Sequence, residues 1–331
     1  MSDYLHMMKK VVFLIANGTL KPSSLFNAIE IFEKANEFHR LNKGRDFYDI
    51  RVAGRSLKQP IRNGTFTLQV EALKPTDTAD LIILPGFAEQ GDFAIRGSGE
   101  ALEWVVDQYH SGAEVASFCT GTFLLAATGL LNGKPCATHW KAAANFRRLF
   151  PDLDLHTNKI LTDQQGVYTA GGAISSLNLA LYIIEKYNGR EAALYCAKVL
   201  QIDIDRNSQS PFILFEGLKD HHDETIREVQ HFIEQHVSDR ITVDQLASRC
   251  AMDRINFSRR FKKATQLSPA NYVQRIKVEG AKRLFESTAM QINEVMYEVG
   301  YGDVKAFRQT FKKVAGMTPA DYRSKFQRLY N

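Results

Sequence analysis

Cys119 is the residue whose type and position most favour covalent chemistry. It directly follows the apolar segment Glu114–Phe118 and precedes Thr122–Thr128, where apolar residues have helical spacing. A cysteine between the end of a strand and the start of a helix has its sulfur near a helix N-terminus, and helix N-termini stabilise thiolates. This layout is typical of a nucleophile elbow, so Cys119 is a candidate nucleophile.

A second group of chemically suited residues occurs twice, 50 positions apart. The segment from Phe257 to Tyr272 matches the segment from Phe307 to Tyr322, and each begins with two Phe residues four positions apart. Such a pair packs one helix face inward and leaves the opposite face exposed. The exposed stripes have the spacing i, i+3, i+4, i+7 and consist of Ile255, Ser258, Arg259 and Lys262, and of Lys305, Arg308, Gln309 and Lys312. A stripe of this kind can enter the major groove of DNA.

Each stripe is preceded by a short helical segment and a tight turn. Val243–Cys250 and Ala251-Met252 precede the first stripe, and Ile292–Val299 and Gly300–Gly302 precede the second. Helix, turn and basic helix form the helix-turn-helix plan. The two units are joined by a predicted helix from about Ala270 to Ser287, roughly 27 Å long, close to the roughly 34 Å helical turn of B-DNA. The helix starts are predicted from the capping residues Thr242, Asp253, Ser268, Asp303 and Thr318.

The first 200 residues or so alternate short apolar runs with helical segments. Val11–Ala16, Leu81–Leu84 and Glu114–Phe118 have the pattern of buried parallel strands, and the segment from Ile160 to Tyr187 adds a hairpin-like pair and a long helix. This alternation predicts an α/β sandwich of flavodoxin-like type with a mainly parallel sheet. The remaining residues have only helical patterns, which predicts an all-α domain with two helix-turn-helix units. We expect the domains at 1–202 and 223–331, with a polar linker at 203–222.

The charge is unevenly distributed between these two parts. Residues 221–331 contain 19 Lys and Arg and 13 Asp and Glu, a net charge of +6, whereas the other 220 residues have 23 basic and 24 acidic residues, a net charge of −1. A basic domain joined to a nearly neutral one favours a polyanionic partner, although a merely soluble basic surface would give the same count.

The cysteines and the N-terminus indicate the cellular compartment of the protein. The four cysteines are far apart and form no Cys-x-x-Cys pair, which predicts neither a disulfide framework nor a metal site. The apolar run after Lys9-Lys10 is too short for a signal peptide or a membrane span. We therefore expect a cytoplasmic protein with no membrane contact, no metal and no cofactor.

The C-terminal third resembles the DNA-binding domain of the AraC/XylS family over its whole length. The resemblance is carried by Val299–Asp303, Phe307-Arg308, Phe311–Lys313 and Gly316–Arg323. It implies a transcription regulator whose two recognition helices read adjacent major-groove segments of double-stranded DNA. The base contacts it implies are those of Ile255, Ser258, Arg259, Lys305, Arg308 and Gln309. Phosphate contacts are expected from Lys262, Lys263, Lys312 and Lys313.

The N-terminal part resembles the class I glutamine-amidotransferase-like (ThiJ/PfpI) domain found in one branch of AraC-type regulators. The resemblance covers most of residues 9–195 and is carried by the segment from Phe118 through Gly129–Lys134 to Trp140. It implies that the loop containing Gly86 offers backbone N–H groups opposite the cysteine. We therefore expect a ligand pocket at Gly86, Cys119 and His139.

The groups that a catalytic cysteine requires are incomplete in this chain. Cysteine catalysis needs a base within hydrogen-bond reach and a group that orients the base. No His-x-Glu follows Cys119, and Thr120 stands where PfpI-type hydrolases have histidine. The loop Gly18–Ser24 contains no Asp or Glu, although Glu89 could approach from another loop. We therefore predict that the domain is not an enzyme and that Cys119 is a degenerate nucleophile.

The expected function is DNA-binding transcription regulation controlled by a small metabolite in the N-terminal domain. The resemblance implies a nitrogen-containing effector such as an amino acid or a betaine. A homodimer is expected, and RNA polymerase is a further candidate partner. Two alternatives remain open: a thiol-dependent hydrolase or glyoxalase-like enzyme fused to a DNA-binding module, and an N-terminal domain that serves only dimerisation or protein docking.

Overall fold

The chain folds into two compact units, Met1–Gln209 and Ser210–Asn331. The computed structural model describes residues 8–16, 19–54, 57–61, 64–88, 91–204, 208–219 and 221–327. Each unit has its own buried apolar residues. In the described part of the chain, no helix combines the length and the apolar character needed to cross a membrane.

A seven-stranded sheet forms the centre of the N-terminal unit. The strands of this unit are β1 (Lys9–Ile15), β2 (Tyr48–Gly54), β3 (Lys58–Ile61), β4 (Phe66–Gln69), β5 (Glu71–Ala72), β6 (Leu81–Leu84), β7 (Glu114–Ser117), β8 (Pro135–Cys136), β9 (Asp154–Leu155), β10 (Leu161–Gln164) and β11 (Val167–Ala170). The order in the sheet is β10-β11-β7-β6-β1-β2-β5. All neighbours run parallel except β10, which is antiparallel to β11. The predicted mainly parallel sheet is confirmed.

Helices cover both faces of this sheet, as the alternation of side chains in β1 requires. They are α1 (Pro22–Lys43), α2 (Gly91–Ile95), α3 (Gly99–His110), α4 (Thr122–Ala127), α5 (Ala143–Leu149), α6 (Ala173–Asn188) and α7 (Arg190–Val199). Phe13 belongs to the core that includes α1, α6 and α7. The adjacent Leu14 belongs to the core on the other face, with residues of α3, α4 and α5. Successive residues of a strand point to opposite faces, so a strand that is apolar throughout predicts this three-layer sandwich.

The carboxyl ends of the parallel strands bring the predicted site residues to one edge. The chain runs from β1 to β2 on one side and returns at β6 on the other side of β1. Ligand sites of open α/β sheets lie at such a switch point, outside the carboxyl ends of the strands. The loops after β1, β6, β7 and β11 meet here, and they contain Lys21, Gly86, Cys119 and Gly172.

The C-terminal unit is built from two similar groups of helices. They are α8 (Glu224–Gln235), α9 (Val243–Arg249), α10 (Arg254–Thr265), α11 (Pro269–Ser287), α12 (Ile292–Glu298), α13 (Val304–Ala315) and α14 (Pro319–Phe326). The first half of α11 packs into a core with α8, α9 and α10, and its second half packs into a core with α12, α13 and α14. The predicted all-α domain with two helix-turn-helix units is confirmed.

The predicted helix starts are confirmed by their capping hydrogen bonds. Thr242 and Gln245 form a reciprocal capping box at α9. Ser268 and Thr318 accept a backbone N–H at the starts of α11 and α14, and a proline follows each of them. The carboxylates of Asp253 and Asp303 cap α10 and α13 in the same way.

Candidate functional site

Cys119 lies at a sharp turn between β7 and α4. Its backbone has φ of 56°, and its side chain is 1% exposed. A non-glycine residue in this region costs about 1–3 kcal/mol, and such strain is concentrated at functional sites. The turn packs tightly on the end of β6, because a Cβ atom at Gly121 would lie 2.2 Å from the carbonyl oxygen of Leu84. Gly86 lies on the other side, where an added Cβ would be 3.2 Å from Cβ of Cys119.

Two backbone N–H groups of the loop after β6, those of Gly86 and Phe87, are already satisfied. The N–H of Gly86 donates to Oγ of Ser24 at 2.9 Å, and the N–H of Phe87 donates to Oγ1 of Thr120 at 2.8 Å. An oxyanion hole requires free donors aimed at the reacting oxygen. The sequence analysis expected the N–H of Gly86 to be free opposite Cys119. In the structure, the N–H groups of Gly86 and Phe87 instead donate to hydroxyl groups of the protein.

Lys21 is the residue of this site that the sequence analysis missed. Its Nζ lies 3.8 Å from Sγ of Cys119, within hydrogen-bond distance for sulfur. The loop after β1 thus directs an ammonium group, and no described carboxylate, at the thiol. Glu89 and residues 17–18 lie outside the described residues. The available signal was Lys21-Pro22, which marks the helix start at the carboxyl end of the first strand.

His139 is half-buried next to the same turn, and a backbone hydrogen bond orients its ring. Its Nδ1 accepts the backbone N–H of Lys141 at 3.1 Å, so a neutral ring carries its proton on Nε2. Burial, together with the ammonium groups of Lys21 and Lys141, lowers the pKa of His139 below 6.5. Among the described residues, neither a carboxylate nor Cys119 is hydrogen-bonded to this ring. Among the described residues, His139 therefore lacks the two contacts that an oriented base for the thiol needs.

The two recognition helices present the predicted stripes to solvent. Phe257 and Phe261 of α10 are fully buried with ring centroids 5.7 Å apart, and Phe307 and Phe311 of α13 repeat this arrangement at 5.9 Å. On the opposite face, Ser258 is half-buried and the remaining stripe residues are exposed, namely Ile255, Arg259, Lys262, Lys305, Arg308, Gln309 and Lys312. Ile255 is 79% exposed, which is unusual for an isoleucine and leaves its side chain available for a partner.

The basic residues of both stripes form no ion pair within the described part of the chain. Arg259 only donates to Oδ1 of Asn256, at 3.1 Å. Other basic residues of the first helix-turn-helix unit are used internally, because Arg260 pairs with Asp223 and Arg254 pairs with Asp244. Lysine and arginine side chains without acidic partners are suited to phosphates and base edges.

Lys277 of the joining helix α11 connects the loop before α9 to the residue that follows α12. Its side chain is 6% exposed, and its Nζ donates to the carbonyl oxygens of Val237, Asp239 and Val299 at 2.7, 2.9 and 2.7 Å. The first two acceptors precede α9, and the third ends α12. Sequence analysis assigned Lys277 no role, because a lysine in a helix usually lies on a solvated face.

Comparisons with known proteins agree with both units. Residues 9–186, more than half of the chain, match the DJ-1/PfpI family, and residues 246–325 match a helix-turn-helix domain. The HTH-type transcriptional regulator GbdR of Pseudomonas aeruginosa is 25% identical over 314 residues, which cover 94% of this chain and 82% of that protein.

Two further likenesses concern the N-terminal unit alone. An isonitrile hydratase of Pseudomonas putida is 29% identical over 147 residues, which cover 42% of this chain and 60% of that enzyme. DJ-1beta of Drosophila melanogaster has the same fold, with a TM-score of 0.50, 19% identity and coverage of 60% of this chain and 100% of that one. The resemblances inferred from the motifs are confirmed: the chain belongs to the DJ-1/PfpI family and carries an AraC-type helix-turn-helix domain at its C-terminal end.

Proposed function

We propose that this protein is a sequence-specific DNA-binding transcription regulator, and that a small metabolite bound near Cys119 controls it. The observation that carries the proposal is the pair of matched recognition helices, α10 and α13, with exposed basic stripes on one polypeptide. The similarity to GbdR, a transcriptional regulator by name, extends over both units and supports the same function.

The stripes suit direct reading of bases together with phosphate binding. The methyl groups of Ile255 fit against a thymine methyl, and the guanidinium of Arg259 fits a guanine edge. Lys305, Arg308 and Gln309 occupy the matching positions of the second helix. Lys262 and Lys312 lie one turn further along, where contacts with phosphates set affinity and salt dependence.

The Cys119 site is better suited to binding than to turnover. The N–H groups of Gly86 and Phe87 are satisfied by Ser24 and Thr120, and the described residues offer His139 no orienting carboxylate. The ammonium of Lys21, the thiol of Cys119 and the imidazole N–H of His139 are the groups that can contact a polar ligand. The effector class that we propose, a nitrogen-containing metabolite such as an amino acid or betaine, rests on the family resemblance.

A homodimer in the cytoplasm is the assembly that we propose, since two-fold pairing is the commonest oligomer of soluble proteins. Regulation by this dimer would include contact with RNA polymerase. Light scattering of the purified protein in the micromolar range would give twice the chain mass for a dimer.

Thermal unfolding against a panel of amino acids, betaines, polyamines and nucleotides tests the sensor. A compound at about 100 times its Kd adds about 2.7 kcal/mol to the stability of the unit that binds it. We expect one compound class to raise the Tm, and this rise to be lost in Lys21→Met but kept in Lys198→Met, which changes an exposed lysine of α7. If no compound raises the Tm, the N-terminal unit serves dimerisation or protein docking instead.

A thiol enzyme is the second candidate, favoured by the likeness to an isonitrile hydratase. Turnover of an isonitrile, an amide or methylglyoxal by the purified protein would identify it. An enzyme loses this turnover in Cys119→Ser and leaves DNA binding unchanged. A sensor shows no turnover above the buffer rate in either form.

A further inference from the structure

Gln209, the last residue of the N-terminal unit, has a buried side chain with four hydrogen bonds. It is 1% exposed. Its Oε1 accepts the N–H of Gly172 at 2.7 Å. Its Nε2 carries two hydrogens and shares them among the carbonyl oxygens of Thr138, Thr157 and Lys159, at 3.2, 3.1 and 2.9 Å. A glutamine amide thus joins backbone groups of four residues.

The backbone around Gln209 is held in the same place. Its N–H donates to the carbonyl oxygen of Asn158 at 2.8 Å, and Ser208 forms an antiparallel bridge with Lys159. Gly171 makes room for the side chain, because a Cβ atom there would lie 2.2 Å from both Cδ and Nε2 of Gln209. We call this set of contacts the Gln209 anchor.

The Gln209 anchor shares residues with the Cys119 site. Thr138, whose carbonyl oxygen it binds, donates its hydroxyl to the carbonyl oxygen of Cys119 at 2.8 Å. Gly172, whose N–H it accepts, lies against the ring of His139, since an added Cβ would be 3.4 Å from Cδ2 of that ring. A molecule that moves His139 or the turn at Cys119 therefore acts on two of the four partners of the anchor.

The residues that directly follow the anchor pack on helices of the C-terminal unit. Phe212 packs on Phe326 of α14, with ring centroids 5.7 Å apart. The carbonyl oxygen of Ile213 accepts a hydrogen bond from Nζ of Lys282 in α11 at 2.5 Å. Only residues 210 and 211 separate the anchor from Phe212. The two attachments are therefore joined by a short covalent segment.

We propose that the Gln209 anchor couples occupancy of the Cys119 site to DNA binding by the C-terminal unit. The inference rests on the proposed function, because it names the route by which that site regulates. The anchored and released states are the two conformations, and a ligand that contacts His139 or Gly172 binds one of them better. A difference in affinity between two states is what allosteric coupling requires.

The first test uses the full-length protein with Gln209→Ala, Gly171→Ala and the control Gln69→Ala, which changes an exposed glutamine of β4. Gly171→Ala displaces the Gln209 side chain from the opposite wall. The probe is a duplex that the wild-type protein selects from a random-sequence pool. We expect both anchor variants to change the Kd for this duplex by about fivefold or more in the same direction. Hydrogen exchange of residues 208–219 should rise in both. Wild-type Kd values in both variants overturn the proposal.

The double variant separates release of the anchor from general damage. Adding Gly171→Ala to Gln209→Ala should change the Kd no further, because the displaced side chain is already absent. If the two substitutions change the Kd additively, the two residues only support the fold, and the proposal is overturned.

The ligand response distinguishes the anchor from the sensor. With the compound that raises the Tm of the wild type, Gln209→Ala should still bind that compound, with a Kd shifted because the anchored state is lost, but its DNA affinity should no longer respond to the compound. If the compound changes the DNA affinity of Gln209→Ala as much as that of the wild type, the role of the anchor is contradicted and the role of the N-terminal unit as a sensor stands. If no compound binds the wild type, the sensor fails, and the DNA affinities of the ligand-free variants alone decide the anchor.

Discussion

Arg259 and Lys262 lie on the same exposed face of α10 but differ in the contacts that their side chains can make with DNA. A guanidinium presents a planar fork of donors that matches O6 and N7 of guanine, whereas an ammonium is a compact charge suited to a phosphate. Arg259 is close to the helix start, where recognition helices contact bases. Neither side chain pairs with an acidic residue in the described part of the chain.

Arg259→Ala should relax specificity at one base position and weaken binding to the selected duplex by about 1–3 kcal/mol. The reason is that a bidentate base contact discriminates between base pairs, so its loss affects the preferred base most. Titration of duplexes that carry each of the four base pairs at every position measures this. Lys262→Ala is the matched control, and it should weaken all the duplexes equally. Equal weakening by Arg259→Ala would reassign this residue to the phosphates.

His139 should make the stability of the N-terminal unit depend on pH. Its pKa in the folded protein is lowered from 6.5 by burial and by two ammonium groups. Below pH 6.5 the unfolded chain therefore takes up a proton on His139 that the folded protein does not. The free energy of unfolding is retained above that pH and decreases as the pH falls below it.

Urea unfolding of wild type, His139→Gln and His110→Gln between pH 7.5 and about pH 5 measures this effect. The difference in stability between the wild type and His139→Gln should shrink as the pH falls. His110→Gln, an exposed control in α3, should follow the wild type. His39, whose pKa is also lowered by burial, is present in all three proteins and cancels. A pH profile of His139→Gln parallel to that of the wild type would contradict the prediction.

At the scale of elements, α11 determines how the two helix-turn-helix units are held together. It has 19 residues, which correspond to roughly 28 Å of helix, and each half belongs to a different core. Apolar packing therefore joins the two cores only through α11 itself. The three hydrogen bonds of Lys277 add a fixed connection between the loop before α9 and the end of α12.

Lys277→Met should lower the free energy of unfolding of the C-terminal unit by about 1–3 kcal/mol, because buried carbonyl groups lose their donor. It should also weaken binding to the full duplex more than binding to a duplex in which the segment read by one of the two units is scrambled. Arg283→Met, an exposed change on the same helix, is the control, and Lys277→Arg should restore part of the loss. Equal weakening on both duplexes would show that Lys277 supports folding only.

At the scale of the whole molecule, the charge asymmetry indicates how DNA is approached. The net charge of +6 belongs to residues 221–331, and the rest of the chain has −1. Attraction between a basic domain and the phosphates is independent of sequence and weakens with salt, since each phosphate contact releases a bound counterion. The N-terminal unit contributes little to this attraction.

Replacing Lys312 and Lys313 by Gln should reduce the slope of log K against log salt concentration by about 2, because each lysine accounts for about one phosphate contact. The control replaces Lys43 and Lys198, exposed lysines of α1 and α7, and removes the same net charge. It should leave the slope unchanged. Equal effects of the two pairs would attribute the slope to net charge rather than to contacts of α13.

The sequence by itself determined part of the strands, among them β1, β6 and β7, and the helices of the C-terminal unit, but it did not indicate β2, which pairs with β1 in the central sheet. Apolar runs such as Leu81–Leu84 predict buried strands, and the repeated Phe pairs predict the two recognition helices, because both signals depend only on local periodicity. Caps such as Ser268-Pro269 predict helix starts for the same local reason. The motifs also sufficed for both family resemblances, which the comparisons confirm.

Only the tertiary structure decided which polar groups meet. Lys21 lies beside Cys119 although 98 positions separate them, and Gln209 binds backbone groups of three separate segments. The N–H of Gly86, expected to face the cysteine, is taken by Ser24. Such pairings arise because most buried donors and acceptors find a partner in a folded chain. Which groups pair depends on which segments pack together, and the local periodicity of a sequence does not specify contacts between distant segments.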